Sequence, residues 1–203
     1  MKNRYLITPT LLNNWQYLVS SEGDYARQLE DFKTLLLRAP STPTQAMIEG
    51  NLFEDNVCSG KDKELSPIVK GGVFQVPCKK EIYIKEINMY FLLYGRIDVC
   101  KCGHIYDIKH TRQYENPKFY NSYQHKIYLV CVPNATDFTY IGKDIAIERG
   151  DKEGDNSYFE EKYVRKPYYE HEIKIGIINM IAFLKRTNML DTYLDKWKAN
   201  KNG

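Results

Sequence analysis

The sequence predicts a mixed α/β (α+β) domain, and three observations carry that prediction. Helical periodicity opens the chain, a meander of β-type runs fills its middle, and helix and strand signals then interleave to the C-terminus. With 203 residues the chain is long enough to bury a self-sufficient core. No repeat and no Gly- or Ser-rich linker divides it, so one domain over residues 1–203 is expected.

The elements follow in order. Residues 9–20 set Leu11, Leu12, Trp15, Tyr17 and Leu18 mostly on one helical stripe, with Thr8 or Thr10 as the cap. A second helical stretch runs from about Asp24 to Arg38, and Ala39-Pro40-Ser41-Thr42-Pro43 breaks it. A third helix is predicted from Thr42, with Pro43 in its first turn and Gln45 completing a Thr-x-x-Gln capping box. Ser59 to Pro67 is a polar loop, after which strands are expected over 69–76, 81–86, 89–99 and 105–110. Pro117 then opens a helix over about 118–132, closed by Pro133-Asn134. Short strands over 138–141 and 158–164 flank an exposed loop over 148–155, and helices over about 168–186 and 189–198 finish the chain.

Charge alone leaves the partner open. The 29 basic and 26 acidic residues give a net charge of +3, too mild to announce a nucleic-acid binder as a strongly basic domain would. The 17 tyrosines accompany many Asn, Ile and Lys residues, the signature of an AT-rich coding sequence more than of an aromatic surface built to stack bases. Five cysteines, at 58, 78, 100, 102 and 131, form no C-x-x-C pair. Their odd number, with no apolar leader at Met1–Ile7, predicts a reducing interior. No window approaches the ~18 uninterrupted apolar residues of a membrane span, so a soluble intracellular protein is expected.

Several polar residues sit where the pattern wants apolar ones. Asp98 ends the run Tyr90-Phe-Leu-Leu-Tyr-Gly-Arg-Ile-Asp98, and Asp107 and Lys109 share one face of the next strand by period-two geometry. A two-residue turn at Cys102-Gly103 pairs residues whose numbers sum to 205, which sets Asp98 opposite Asp107 with Cβ atoms about 4.5–5.5 Å apart. Two like charges so placed need a cation between them, and a divalent metal, with oxygen ligands at about 2.0–2.1 Å, is the economical one. A solvated charge cluster is the plain alternative for this hairpin. Glu54 shares a helical stripe with Met47, Gly50 and Val57, where Gly50 is expected to admit another backbone at close range. Gln124 interrupts the row Tyr120, Tyr123, Ile127, Tyr128, Cys131; a core glutamine bonded to backbone is its plain reading.

The order Gly50-x-x-x-Glu54, Gly95-Arg-Ile-Asp98, Asp107-Ile-Lys109, Gln124-x-x-x-Tyr128 resembles the PD-(D/E)XK nuclease superfamily, in its RecB-like and lambda-exonuclease-like branch. Thr8-Pro-Thr-Leu-Leu is similar to the Ser-Pro-Ser-x-Leu stretch that opens many RecB-like domains. The resemblance implies a restriction-endonuclease-like core, a central mixed β-sheet flanked by helices. It also implies Glu54, Asp98 and Asp107 as acidic positions, Lys109 as the catalytic lysine and Gln124 as a supporting residue. Asp98, Asp107 and the carbonyl of Ile108 are expected to hold Mg²⁺ or Mn²⁺, with Glu54 assisting directly or through water; Tyr128, His110 and Arg112 are assigned to substrate contact. No iron–sulfur cluster is expected, because no Cys follows Cys131.

The activity so implied is a metal-dependent deoxyribonuclease, an exonuclease in phage or prophage recombination or repair. Its partner is DNA, with a homo-oligomer or a phage recombination partner, no membrane, and a cytoplasmic location in a bacterial host. A different class, a catalytically silent nuclease fold kept as a DNA-binding or assembly module, stays open. So does a zinc site on Cys78, Cys100, Cys102 and His104, whose Cys-Lys-Cys spacing suits tetrahedral coordination poorly.

Overall fold

A computed structural model describes residues 3–20, 22–154 and 156–199; Met1, Lys2 and Asp155, which belong to the predicted start and exposed loop, lie outside the described residues. The chain begins with β1 (Arg4–Ile7), three helices, α1 (Pro9–Ser20), α2 (Tyr25–Leu36) and α3 (Gln45–Cys58), and a short α4 (Ser66–Val69). The strands β2 (Val73–Ile84), β3 (Met89–Lys101) and β4 (His104–Thr111) follow. Then come α5 (Tyr123–Cys131), β5 (Asp137–Asp144), α6 (Ile145–Glu148), β6 (Tyr158–Val164), α7 (Tyr169–Arg186) and α8 (Leu190–Lys196).

The strands form one mixed sheet, flanked by helices as expected. β2 runs antiparallel to β3 along one edge, while the other edge of β3 takes β1, in parallel, from Tyr90 to Leu93 and β4, antiparallel, from Val99 onward. Between Leu93 and Val99 that second edge meets no strand, and α5 covers it. Beyond β4 the sheet continues through β5, in parallel, to β6, antiparallel.

Two cores lie on the sheet's two faces. The larger gathers Leu11 and Leu12 of α1, Phe91, Leu93 and Ile97 of β3, Ile127 of α5, and Ile173 and Ile177 of α7. The smaller joins Phe53 and Val57 of α3 and Val69 of α4 to Val99, Ile108 and Ile141. Ile105 and Ile108, and Tyr140 and Ile141, fall in different cores, as strand alternation requires. Ile97 and Val99 also fall in different cores although they are two residues apart, so the alternation of β3 breaks at Asp98.

Several predicted boundaries move. The third helix is capped by Thr44, whose hydroxyl accepts from the Met47 amide, and not by Thr42; Gln45 bonds Glu49 instead of closing a capping box. The two strands expected on either side of Pro77 are one. Pro77 pairs with Arg96 on β2, an edge strand with β3 on one side only, the kind of strand that tolerates proline. The helix expected from Lys118 starts at Tyr123 under the Ser122 cap, because the amides of Lys118 and Phe119 donate to the Glu161 carboxylate instead. β1 was not anticipated. Gly50 faces open space, since the start of α3 stands clear of the sheet and leaves Met47 exposed, so it admits no close backbone.

Candidate active site

The β3–β4 hairpin forms with the predicted register: Val99 pairs with Tyr106, Cys100 with Ile105 and Lys101 with His104. Cys102 and Gly103, at φ 50° and 82°, make the two-residue turn, both in the left-handed region such a turn needs. The ladder then stops one step short of the Asp98–Asp107 pair. At that point Asp98 Oδ2 accepts from the Ile108 amide at 2.9 Å, a side-chain bond where a strand bond would have been.

Asp98 and Asp107 are thereby brought together, close enough for Asp107 to disfavour charge on Asp98. Asp107 is buried, with 1% of its surface exposed; its Oδ1 accepts from Gln124 Nε2 at 2.5 Å and its Oδ2 lies 2.5 Å from Lys109 Nζ. Gln124 reaches it from the first turn of α5. Glu54, on α3, stands close enough to add repulsion, and its Oε1 accepts from Gln75 Nε2 at 2.5 Å.

Burial dominates the site's electrostatics. It pushes the Asp98 carboxyl up to about 8, with the neighbouring Asp107 and Glu54 adding to the shift. Burial also raises Asp107 against the pull of Lys109, and raises Glu54, with Asp107 adding to it. For Lys109 burial acts downward, but Asp107, Asp98 and Glu54 outweigh it and hold the ammonium above its ordinary range. Two neighbouring, largely buried carboxyls can both ionise only beside added positive charge, which Lys109 supplies in part. Hard oxygen donors so placed fit a divalent cation. Among the described residues, however, no three His, Cys, Asp or Glu side chains stand close enough to hold a metal ion together. The carboxylate pair is therefore what the fold offers, with Glu54 set apart on Gln75.

The remaining predicted residues surround this group. Tyr128 is buried, packs against Gly95, and donates to the Arg96 carbonyl at 2.8 Å, in the stretch of β3 that faces no strand on that side. His110 stacks on Phe53 with ring centres 4.8 Å apart, and its Nε2 is 3.3 Å from Glu148. Arg112 is exposed and lies 3.6 Å from Asp151. The zinc set does not assemble among the described residues: His104 bonds Asp137 at 2.8 Å and Cys102 sits on an exposed turn.

Two supporting features escaped sequence reasoning. Gln75 carries no motif. The segment after β4 is tied down by two buried acids: Asp144 accepts from the amides of Gln113 and Tyr114, and Glu161 from the Tyr114 hydroxyl and the amides of Lys118 and Phe119. Glu161, a carboxylate spaced by two from Phe159 and Tyr163, was the visible sign of the second anchor.

The mixed sheet flanked by helices is a fold that solved structures share. The chain is similar to an alkaline exonuclease (LHK-Exo) from Laribacter hongkongensis, with a TM-score of 0.54 and 13% identity over 89% of this chain and 88% of that one. The same enzyme in complex with dAMP gives 0.53 and 14%, over 89% and 88%. SSO0001 gives 0.53 and 16%, over 90% of this chain and 78% of that one. No protein-family model and no curated protein matches the sequence.

Proposed function

We propose that the chain, acting as one domain over residues 1–203, is a divalent-metal-dependent nuclease that hydrolyses phosphodiester bonds in DNA. The observation that carries this reading is the convergence of Asp98, Asp107, Lys109 and Gln124 from two strands and a helix on one buried point. The likeness in fold to an alkaline exonuclease, one form of which holds dAMP, supports it.

Asp98 and Asp107, with the Ile108 carbonyl, would hold Mg²⁺ or Mn²⁺, and Glu54 would assist through water. When bound, such a cation lowers the pKa of water and polarises a phosphate oxygen. Gln124 fixes the Asp107 carboxylate by donating to Oδ1 and leaves Oδ2 to face Lys109. Lys109, kept protonated by its acidic neighbours, orients the attacking water and stabilises charge that develops on the phosphate. Tyr128 holds β3 in place rather than touching DNA, while His110 and Arg112 lie further along β4 and just past its end, where a strand of DNA would pass.

An exonuclease of phage or prophage recombination or repair, working in the bacterial cytoplasm, is the finer form of this proposal; assembly into an oligomer would add processivity. No helix among the described residues is long and apolar enough to cross a membrane. Among the described residues no three-ligand group is preassembled, which favours a second reading, a silent nuclease fold that binds DNA without cutting it. Linear and covalently closed circular DNA, incubated with the protein in Mg²⁺, Mn²⁺ or EDTA, separate these readings. Loss of linear DNA alone, in either metal but not in EDTA, is expected; binding without any cleavage in all three favours the silent module.

A further inference from the structure

β2 pairs with β3 in one unbroken register from Val73 to Ile84, with a single exception. Phe74 pairs with Val99 and Val76 with Ile97, but Gln75, which would face Asp98, makes no pair. Its φ is 54°, in the left-handed region that a glutamine rarely adopts and that strands exclude. The β4 ladder stops at the same residue of β3, so Asp98 is released by both neighbouring strands at once. Val76 packs with the larger core alongside Ile97, and Phe74 beyond the exception is exposed. Gln75 is thus rotated out of the ladder, and its amide crosses to α3, where Nε2 donates to Glu54 Oε1 at 2.5 Å.

We infer that Gln75 is a positioning residue for the metal site, its off-ladder backbone holding the amide where it fixes the Glu54 carboxylate, which stands apart from the Asp98–Asp107 pair, so that it assists the metal through water. This rests on the metal-dependent reading above. A disfavoured backbone conformation maintained within a strand marks a local requirement, and here the side chain it aims is the one that secures the third acidic group. Glu54 sits on a separate helix with no strand bond to fix it, so its carboxylate depends on this side-chain contact. Gln124 does the same for Asp107 from the other side, which gives each of these two acids one amide holder from a different element.

Gln75→Gly separates the side chain from the backbone, because glycine accepts the positive φ without strain and removes the whole side chain. Gln75→Asn, tolerant of the same φ but one methylene shorter, is the second variant. Calorimetric titration of each intact variant with Mn²⁺ alone, beside thermal unfolding without metal, gives the test. Unchanged or higher melting temperatures with Mn²⁺ affinity weakened by about tenfold are expected, the usual cost of losing a group that holds a ligand. The double variant Gln75→Gly/Glu54→Gln is expected to bind no more weakly than Glu54→Gln alone, since both changes break one interaction. Wild-type affinity in the Gly and Asn variants, or strictly additive losses in the double variant, overturns the inference while leaving the nuclease reading intact. Failure of the wild-type protein to bind Mn²⁺ overturns both.

Discussion

Burial, Asp107 and Glu54 all disfavour charge on Asp98, so its carboxyl titrates near 8 in the folded chain against 3.8 when unperturbed. A carboxyl raised in this way binds its proton more tightly in the folded state, so stability is greatest below the unfolded value and declines as pH rises from about 4 to about 8. Asp98→Asn keeps an oxygen for the Ile108 amide and removes the charge. Without metal at pH 8 it is expected to be more stable than wild type, by on the order of 1–3 kcal/mol, and so to melt higher, with the difference vanishing near pH 4. Equal melting temperatures at pH 8 would show that Asp98 carries no such penalty. At this scale Asp98, Asp107, Lys109 and Gln124 were legible as polar residues in apolar patterns. Gln75 was not, because a single positive φ inside a strand leaves no mark on periodicity or composition.

The open edge of β3 between Leu93 and Val99 is closed by α5, and Gly95 is the contact. A Cβ there would run into the Tyr128 ring, whose hydroxyl bonds Arg96 next door. Gly95→Ala is therefore expected to destabilise the protein by about 1–3 kcal/mol through overpacking, read as a melting temperature lower by about 2–4 °C per kcal/mol. Further along the same helix face, His125 stacks on Tyr163 at 3.9 Å, and burial, with Lys126 adding to it, pulls its imidazole down to about 3. Its unfolded form takes up a proton near 6.5, so stability held above that pH is lost as pH falls toward 3. His125→Phe should flatten the fall in denaturant midpoint between pH 6.5 and 4, and a slope equal to wild type would contradict that. Most elements were legible here from capping, proline and apolar spacing. The exceptions have tertiary causes: Glu161 draws the Lys118 and Phe119 amides away from a helix, and an edge position lets β2 pass through Pro77.

Across the whole molecule, the sheet's arrangement explains why distant motifs converge. β3 serves three partner strands, and the gap between two of them admits α5 with Gln124 and Tyr128, while α3 brings Glu54 from the smaller core. The order of motifs along the chain was legible; the interruption of two ladders at one residue, which makes room around Asp98, was not. A cation that binds only the folded site stabilises it by about 2.7 kcal/mol at a hundred times its Kd, so Mn²⁺ is expected to raise the melting temperature and EDTA to reverse the gain. Asp107→Ala should abolish that response. The most direct measurement is release of acid-soluble nucleotides from linear DNA in Mn²⁺ by the wild-type protein, Asp107→Ala and Lys109→Ala. Release by wild type, with at least a hundredfold loss, about 2.7 kcal/mol of transition-state stabilisation, in both variants, is the predicted result; metal-dependent release that survives both substitutions would contradict the assignment of this site.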